Sequence, residues 1–412
     1  MKRGTFMKKI EGGVCAAKGF RAAGIHCGVK ANSPKEKNDL ALIVSDVACA
    51  TAATFTNNRV KAAPLYVCME HLENGIAQAI VANSGNANAC APSGMDNARR
   101  MAAAAAKAVG IEENLVLVGS TGVIGQRINI ETIEAHMDAL AAKLSTDGSA
   151  AANNAILTTD LVEKTVALEF TCGGKTCHIG GIAKGSGMIH PNMGTMLCFI
   201  TTDCAVDPSI LRTALQDAVA HTFNRISVDG DTSTNDTCVI MANGMAGNEL
   251  IDWKNEDYHV FYDALYEVAL TLAKKMAADG EGASKLICCT VKNSRAEEYA
   301  ERLAKAVIAS SLVKAAMFGA DANWGRILCA MGYSKAPFRP EYVTIGFSSA
   351  AGSITVCQNG RALDFDEDMA KKILLEKEVS IDVDIQEGDA EATAYGCDLT
   401  YDYVRINGDY RT

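Results

Sequence analysis

The spacing of apolar residues along the chain predicts six α-helices. In the longest, residues 258–278, apolar side chains recur every three or four positions and so fall on one helix face. They are Phe261, Leu265, Val268, Leu272 and Met276. Asp207 and Pro208 predict another helix start, because aspartate accepts free backbone N–H groups and proline fits the first helical position. The six predicted helices are 95–109, 130–144, 208–221, 258–278, 295–310 and 366–375.

Short apolar runs between these helices predict β-strands. They cover residues 40–44, 79–82, 115–118, 164–170, 196–201, 238–242, 286–291, 342–345, 354–357, 380–385 and 391–395. Several runs are apolar throughout, which is typical of sheets covered on both faces. Strands and helices alternate irregularly, so the pattern predicts a layered α/β or α+β body. The length of 412 residues allows two or three domains, with breaks predicted at residues 145–153 and 180–187.

Composition narrows the possible partners and location. The chain has 49 acidic and 39 basic residues, a net charge of −10, which argues against binding to nucleic acid or anionic membranes. The basic start is followed by no apolar segment of the signal-peptide kind, and no apolar run is long enough to span a membrane. We therefore expect a cytoplasmic protein. Its fifteen cysteines form no C-x-x-C motif, so we expect reduced, buried thiols.

Four loops are dense in small polar residues, at 83–88, 119–125, 227–236 and 320–326. Such loops can present backbone N–H groups to an anion or oxyanion, although ordinary turns have the same composition. Established motifs are not found. The chain has no phosphate-binding loop, no G-x-S-x-G and no H-E-x-x-H, and the aspartate-rich loop lacks the final glutamate of a calcium site. No metal site is predicted.

A Gly-Thr step stands where a polar loop enters an apolar strand, at Gly194 and Thr195. The carbonyl of Gly194 is sterically open, and the Thr195 hydroxyl is one peptide unit away. This geometry suits an N→O acyl shift, after which hydrolysis would leave Thr195 as a new N-terminus. Threonine with its own α-amine is an established pair of nucleophile and base, because that amine titrates near pH 8. On its own, however, a Gly-Thr step is a common sequence.

At these residues the chain resembles the ornithine acetyltransferase family, the bifunctional glutamate N-acetyltransferase/ornithine acetyltransferases of arginine biosynthesis. The resemblance extends from residue 12 to residue 412 and rests on several blocks. They are residues 56–64, 83–88, 120–125, 184–197, 227–237, 280–283 and 396–407. The family commonly has alanine before the nucleophilic threonine, and Gly194 departs from that pattern. Glycine is smaller still, so cleavage is still expected.

The resemblance implies a layered α-β-β-α-like fold of the N-terminal-nucleophile type, self-cleaved into two chains. These would be an α segment of residues 1–194, with the oxyanion loop and part of the substrate site, and a β segment of residues 195–412. The segments would stay associated, as a heterotetramer of two α and two β. No cofactor or metal is implied, and the sequence leaves open whether acetyl-CoA is a further co-substrate.

The resemblance also implies residue roles. Thr195 would be the nucleophile of both cleavage and acetyl transfer, and Thr121 and Gly122 would form the oxyanion hole. The implied substrate-binding residues are Thr158, Lys184, Thr195, Glu281, Asn407 and Thr412. Because Thr158 is followed by Thr159, the first of these assignments is uncertain by one position.

The implied activity moves an acetyl group from N-acetylornithine to glutamate through an acetyl-threonine intermediate, releasing ornithine. Two alternatives remain open at this stage. One is a self-processing aminopeptidase or amidase of the same fold group, which would pass the acyl group to water. The other is a binding protein that never cleaves itself.

Overall fold

A computed structural model describes residues 7–29, 37–190 and 196–409. These residues fall into two compact units. The first lies within Met1–Gly185, Pro191–Asn224 and Thr232–Ala273, and the second within Ser186–His190, Arg225–Asp231 and Lys274–Thr412. The first break falls inside the glycine-rich stretch predicted as a boundary. The other predicted break, residues 145–153, is wrong, because it lies inside the first unit.

The described part of the chain contains sixteen strands. They are β1 (Met7–Ile10), β2 (Phe20–Ile25), β3 (Leu40–Phe55), β4 (Ile76–Asn83), β5 (Val116–Ser120), β6 (Lys164–Cys172), β7 (Lys175–Lys184), β8 (Leu197–Thr202), β9 (Ile226–Ser227), β10 (Thr237–Ala242), β11 (Leu286–Ser294), β12 (Thr344–Ser349), β13 (Gly352–Gln358), β14 (Arg361–Ala362), β15 (Glu378–Asp384) and β16 (Ala390–Cys397). The eleven predicted strands all lie within or overlap these. The sequence pattern did not predict the remaining five strands, β1, β2, β7, β9 and β14.

Eleven α-helices are present within the described residues. They are α1 (Ala63–His71), α2 (Gly94–Val109), α3 (Ile130–Ala141), α4 (Ser149–Ile156), α5 (Pro208–His221), α6 (Glu256–Ala278), α7 (Glu297–Ala309), α8 (Ser311–Phe318), α9 (Trp324–Tyr333), α10 (Glu367–Leu374) and α11 (Tyr401–Gly408). The predicted start of α5 is confirmed, since Asp207 accepts a hydrogen bond from the Ser209 backbone N–H at 2.8 Å. The six predicted helices are all found, whereas five short ones were not predicted.

The first unit is built on a sheet in the order β1-β6-β7-β8-β10-β3-β4-β5, with β2 also paired to β3. Strands β8 and β10 run parallel and are buried along their whole length, as their apolar runs predict. The parallel pair β4 and β5 ends at Asn83 and Ser120, which lie opposite each other. This pairing brings the polar loops 83–88 and 119–125 together at one edge of the sheet.

The second unit has its own sheet, in the order β14-β13-β12-β15-β11-β16-β9. Within this sheet, β11 pairs in parallel with β15 and in antiparallel with β16. Helix α7 packs on β11 and β16, and α10 packs on β12 and β13. An apolar core that includes Ile287, Leu303 and Ile381 joins the sheet to these helices. Sheets and helices in both units confirm the predicted α/β class.

Two expectations about composition can be compared with this fold. All fifteen cysteines are free thiols and twelve are buried, which confirms that they act chiefly as small apolar side chains. Over the ranges that the structure describes, no helix is both long and apolar enough to cross a bilayer.

Candidate active site

The loop that carries Thr121 and Gly122 follows β5 and contacts the loop that follows β4. The Thr121 backbone N–H donates to the Asn83 carbonyl at 3.0 Å. Gly122 has a φ of +130°, and a Cβ atom there would lie 2.4 Å from the Gly85 carbonyl carbon and 2.6 Å from the Asn86 nitrogen. Only glycine fits both the conformation and the space. Thr121 and Gly122 are partly exposed, so both can meet a ligand.

A network of hydrogen bonds from buried polar side chains stabilises this loop. The Ser120 hydroxyl donates to Asn83 Oδ1 at 2.7 Å, and Asn83 Nδ2 donates to the Asn86 carbonyl at 2.9 Å. From the third polar loop, Asn235 Nδ2 donates to the Ser120 carbonyl at 2.8 Å and to the Ala87 carbonyl at 2.6 Å. Bonded networks of this kind hold a site's backbone in one geometry, which an oxyanion hole requires.

Thr158 and Lys184, two of the predicted substrate-binding residues, are linked through Asp160, which the sequence analysis did not single out. Asp160 Oδ2 accepts from the Thr158 backbone N–H at 3.0 Å, and Oδ1 accepts from the Gly185 N–H at 2.7 Å. Lys164 Nζ donates to the same Oδ1 at 2.7 Å, with both side chains fully buried. No motif in the sequence marks Asp160; its role follows from the pairing of β6 with β7.

Two lysine side chains stabilise the ionised form of Asp160. Burial by itself raises the pKa of this carboxyl, but the positive charges of Lys184 and Lys164, with the hydrogen bonds it accepts, outweigh burial and lower the pKa to about 2. Asp160 is therefore ionised at every physiological pH. It fixes the strand end at Lys184 and the turn at Thr158 relative to each other.

The second unit brings two predicted residues together. Glu281 is buried, with 7% of its surface exposed, and its Oε2 accepts a hydrogen bond from Asn407 Nδ2 at 2.7 Å. The Glu281 backbone N–H donates to the Ser186 carbonyl at 3.0 Å, and a Cβ atom at Gly187 would lie 2.4 Å from the Glu281 carboxyl. Glycine at position 187 thus leaves room for the glutamate side chain.

Asp229 and Tyr403 stand near this pair and were not predicted as site residues. Asp229 accepts hydrogen bonds from the backbone N–H groups of Met188 (2.6 Å) and Ile189 (2.8 Å). The Tyr403 hydroxyl donates to the same carboxylate at 3.3 Å. Burial raises the pKa of the Asp229 carboxyl and, with the charge of Asp229 added, the pKa of the Tyr403 hydroxyl. Asp229 belongs to a loop that the sequence marked only as polar and aspartate-rich.

The predicted residues Gly194, Thr195 and Thr412 lie outside the described residues. Their assigned roles as cleavage site, nucleophile and substrate contact stay predictions. Met196, the first described residue after Thr195, accepts a hydrogen bond at its carbonyl from the Thr237 N–H at 2.8 Å. In the described parts of the chain, no cluster of three or more His, Cys, Asp or Glu side chains could hold a metal ion.

An α/β chain that has a glycine-requiring polar loop in its fold and a Gly-Thr step in its sequence has the features of an acyl-transfer enzyme. The ArgJ family profile matches residues 21–412. The arginine biosynthesis bifunctional protein ArgJ of Caldanaerobacter subterraneus subsp. tengcongensis is 49% identical over 407 residues, 98% of this chain and 100% of that protein. The chain therefore belongs to the ArgJ family. The predicted ornithine acetyltransferase family is confirmed, and with it an acyltransferase of arginine biosynthesis.

Two solved structures are also similar. The crystal structure of the ArgJ protein of Bacillus halodurans has 44% sequence identity and a TM-score of 0.49, covering 51% of this chain and 97% of its own. An ornithine acetyltransferase from Mycobacterium tuberculosis, solved in complex with ornithine, has 34% identity and a TM-score of 0.41, covering 47% of this chain and 100% of its own.

Proposed function

We propose that this chain is a self-processing glutamate N-acetyltransferase that takes its acetyl group from N-acetylornithine and releases ornithine. The observation that carries the proposal is the 49% sequence identity to a bifunctional ArgJ protein, which extends over 98% of this chain. Cleavage before Thr195 would yield segments 1–194 and 195–412, and we propose that two copies of each form the working heterotetramer.

The proposed reaction has two half-reactions. The Thr195 α-amine takes the proton from Thr195 Oγ, which attacks the acetyl carbonyl, and the Thr121 hydroxyl and the Gly122 N–H hold the oxyanion. The C–N bond then breaks, the ornithine nitrogen leaves with a proton, and an acetyl ester remains on Thr195. The amine of glutamate attacks this ester, restoring the Thr195 hydroxyl and giving N-acetylglutamate. Each oxyanion donor of this kind is worth about 3 kcal/mol of barrier.

The charges of the substrates suit the predicted binding residues. An N-acetyl amino acid carries a carboxylate, which Lys184 can pair with, and ornithine carries a side-chain ammonium, which Glu281 can pair with. Thr158 next to the Lys184 site and Asn407 next to Glu281 would add neutral hydrogen bonds. Thr412 is proposed as a further contact from the chain end.

A second donor is part of the proposal. The Caldanaerobacter relative is named as a bifunctional protein, and we propose acetyl-CoA as the other source of acetyl groups for Thr195. That route would make N-acetylglutamate without N-acetylornithine. It needs no cofactor or metal, because the chemistry is the same acyl transfer to one hydroxyl.

Intact mass analysis of the purified chain, with and without N-acetylornithine, tests the function. We expect two fragments that meet between Gly194 and Thr195, and an acetyl adduct on the second fragment after addition of the donor. The control variant Thr195→Ala should stay full-length and unacetylated. A single full-length species in the wild type would contradict the proposal and favour a binding protein.

Product partition separates transfer from hydrolysis. If the proposal is correct, N-acetylornithine is consumed in proportion to the N-acetylglutamate that forms when glutamate is supplied. Release of acetate at a rate that glutamate does not change would instead favour the aminopeptidase or amidase alternative.

A further inference from the structure

The loop that carries Glu281 comprises residues 279–285 and joins α6 to β11. Leu286, the first residue of β11, lies opposite Cys397, the last residue of β16, in the antiparallel pairing of these strands. This pairing places the end of the Glu281 loop beside Asp398, the residue that directly follows β16. The loop and the segment that follows β16 therefore meet within the second unit.

Asp398 is a buried carboxylate that none of the roles above uses, with 3% of its surface exposed. Its Oδ1 accepts hydrogen bonds from the backbone N–H groups of Ser284 at 2.8 Å and Lys285 at 3.2 Å. Its Oδ2 accepts a hydrogen bond from the Ser284 hydroxyl at 2.5 Å. Hydrogen bonds to an ionised acceptor are roughly twice as strong as those between neutral groups, so Asp398 fixes this end of the Glu281 loop.

A second set of contacts fixes the loop directly after Glu281. The Gly282 carbonyl accepts a hydrogen bond from the Thr400 hydroxyl at 2.6 Å. A Cβ atom at Gly282 would lie 2.7 Å from Asp402 Cβ and 2.8 Å from the Tyr403 nitrogen, so the loop backbone lies directly against this part of the chain. The path of the loop is therefore set by the segment that follows β16.

The same segment continues into α11, which contacts the Glu281 side chain. Asn407 Nδ2 donates to Glu281 Oε2 at 2.7 Å and to the Tyr403 carbonyl at 3.0 Å. One segment therefore contacts both the backbone of the Glu281 loop and the Glu281 carboxylate. A movement of the loop away from Asp398 would separate that carboxylate from Asn407.

We propose that Asp398 is a positioning residue of the substrate site, which fixes the Glu281 loop so that the Glu281 carboxylate meets the side-chain ammonium of N-acetylornithine. This inference rests on the proposed function, which gives Glu281 that contact. Both Asp398 oxygens accept hydrogen bonds from Ser284, and one also accepts from Lys285. Asp398 thus acts on the substrate through Glu281 and not by direct contact.

Steady-state kinetics with N-acetylornithine test this role. Asp398→Ala removes all three hydrogen bonds, so KM should rise by about tenfold with kcat within about threefold of wild type, as expected when an interaction of the bound substrate is lost. Asp398→Asn keeps an oxygen at the Oδ1 position, so its KM should stay within about threefold of wild type. Self-cleavage should be retained in both variants, because no described residue bonded to Asp398 has an implied role in cleavage.

A double-mutant cycle with Glu281→Gln distinguishes a positioning residue from a merely structural one. If Asp398 acts through Glu281, Asp398→Ala should change KM by less than about twofold when Glu281→Gln is already present. The matched control is Glu387→Ala, between β15 and β16. The Glu387 side chain is 1% exposed and pairs with Arg295 and Arg339, each at 3.0 Å. This control should lower the melting temperature and leave KM unchanged.

Asp398→Glu is the second variant if Asp398→Ala does not fold. It keeps the charge but moves the carboxylate by one CH₂ group, so Ser284 and Lys285 must shift to keep their hydrogen bonds. KM should rise in Asp398→Glu but not rise further when Glu281→Gln is also present. A wild-type KM in folded Asp398→Glu would overturn the proposal.

The outcomes separate this proposal from the proposed function. A wild-type KM in folded Asp398→Ala, an additive rise in the Glu281→Gln background, or an equal rise in Glu387→Ala would overturn the positioning role and leave the acetyltransferase intact. An unchanged KM in Glu281→Gln itself would refute the substrate contact of Glu281, and the positioning role with it. A wild-type chain without acetyl transfer would refute the proposed function and everything that rests on it.

Discussion

Two buried aspartates of the first unit have opposite surroundings. Asp160 lies between Lys164 and Lys184 and accepts backbone N–H groups, so its pKa falls. At Asp236 burial is the largest influence and exceeds the opposing charge of Lys184, so the pKa of the carboxyl rises. The same residue type therefore has a lowered carboxyl pKa at one position and a raised one at the other, depending on its surroundings.

The anionic role of Asp160 gives a prediction about stability and pH. Its pKa is about 2 in the folded chain against an ordinary 3.8. The folded state therefore gains from the ionised form above about pH 4, and that gain is lost as the pH falls from 3.8 towards 2. At pH 7, Asp160→Asn should lower the free energy of unfolding by about 3 kcal/mol, because the buried Lys164 charge loses its partner.

Urea unfolding of both proteins between pH 2 and pH 7 checks this prediction. The difference between wild type and Asp160→Asn should shrink through the acid range. The exposed pair of Arg21 and Asp46 offers a control, and Asp46→Asn should change stability by less than about 1 kcal/mol at any pH. A difference for Asp160→Asn that does not depend on pH would contradict the assignment.

At the scale of elements, the loop with Thr121 and Gly122, whose oxyanion role is a proposal, depends on one glycine more than on its neighbours. In Gly122→Ala, the new Cβ would clash with the backbone of Gly85 and Asn86, so the two loops must separate. Acetyl transfer should fall by about 100-fold or more, as expected when an oxyanion donor is displaced. Gly125→Ala is the matched control: its φ is also positive, at +80°, but nothing lies within 4 Å of the added Cβ.

Steady-state kinetics with N-acetylornithine distinguish the two glycine variants. We expect the loss in Gly122→Ala to appear mainly in kcat, because an oxyanion exists only during the reaction. Gly125→Ala should retain most of its kcat. Equal losses in both variants would mean that strain in the loop, and not the position of the oxyanion donors, explains the effect.

Asn407 of the short helix α11 donates a hydrogen bond to the carboxylate of Glu281. We predict from this pairing that Glu281 binds the substrate. Glu281→Gln keeps the shape but removes the charge that would meet the ornithine ammonium. We expect KM for N-acetylornithine to rise by about tenfold or more, in the range of a lost charge-assisted hydrogen bond, with self-cleavage retained. Glu391→Gln, exposed near the other end of β16, removes the same charge and should leave KM unchanged.

Amphipathic helices and apolar strands could be predicted from the sequence, whereas elements shaped by close packing could not. Strand β7 was not predicted, because its second half falls in the glycine-rich stretch 180–187, which was interpreted as a domain break. In the fold, a Cβ atom at Gly180 would lie 2.0 Å from the Gly13 carbonyl, so glycine here permits close backbone contact. Helices such as α4 and α8 are eight residues long, too short for apolar periodicity to be distinctive.

The residues of the candidate site likewise fall into those that the sequence could predict and those that only the fold reveals. The family resemblance marked Thr121, Gly122, Lys184 and Glu281, because each stands in a block with a recognisable pattern. Asp160 acts through hydrogen bonds that exist only once β6 and β7 have paired, and no spacing in the sequence encodes them. Residues that position others are harder to predict than residues that stand in a family motif.

At the scale of the whole molecule, the predicted cleavage point lies between strands that pair with each other. In the first unit, β8 and β10 follow residue 194 in the chain, and they pair with β7 and β3, which precede it. Cutting the bond therefore leaves one continuous sheet built from both segments. Neither segment retains a complete sheet of the first unit by itself.

This interleaving predicts that the cleaved protein stays together without any covalent link. Under native conditions, size-exclusion chromatography should show one species containing both segments, and a denaturing gel should separate two fragments from the same fraction. Thr195→Ala should elute at the same native position but give one denatured band. The segment 1–194 expressed alone should remain unfolded, because β7 and β3 lack the strands between them. A folded, monomeric segment 1–194, or fragments that separate without denaturant, would contradict the strand order on which the argument depends.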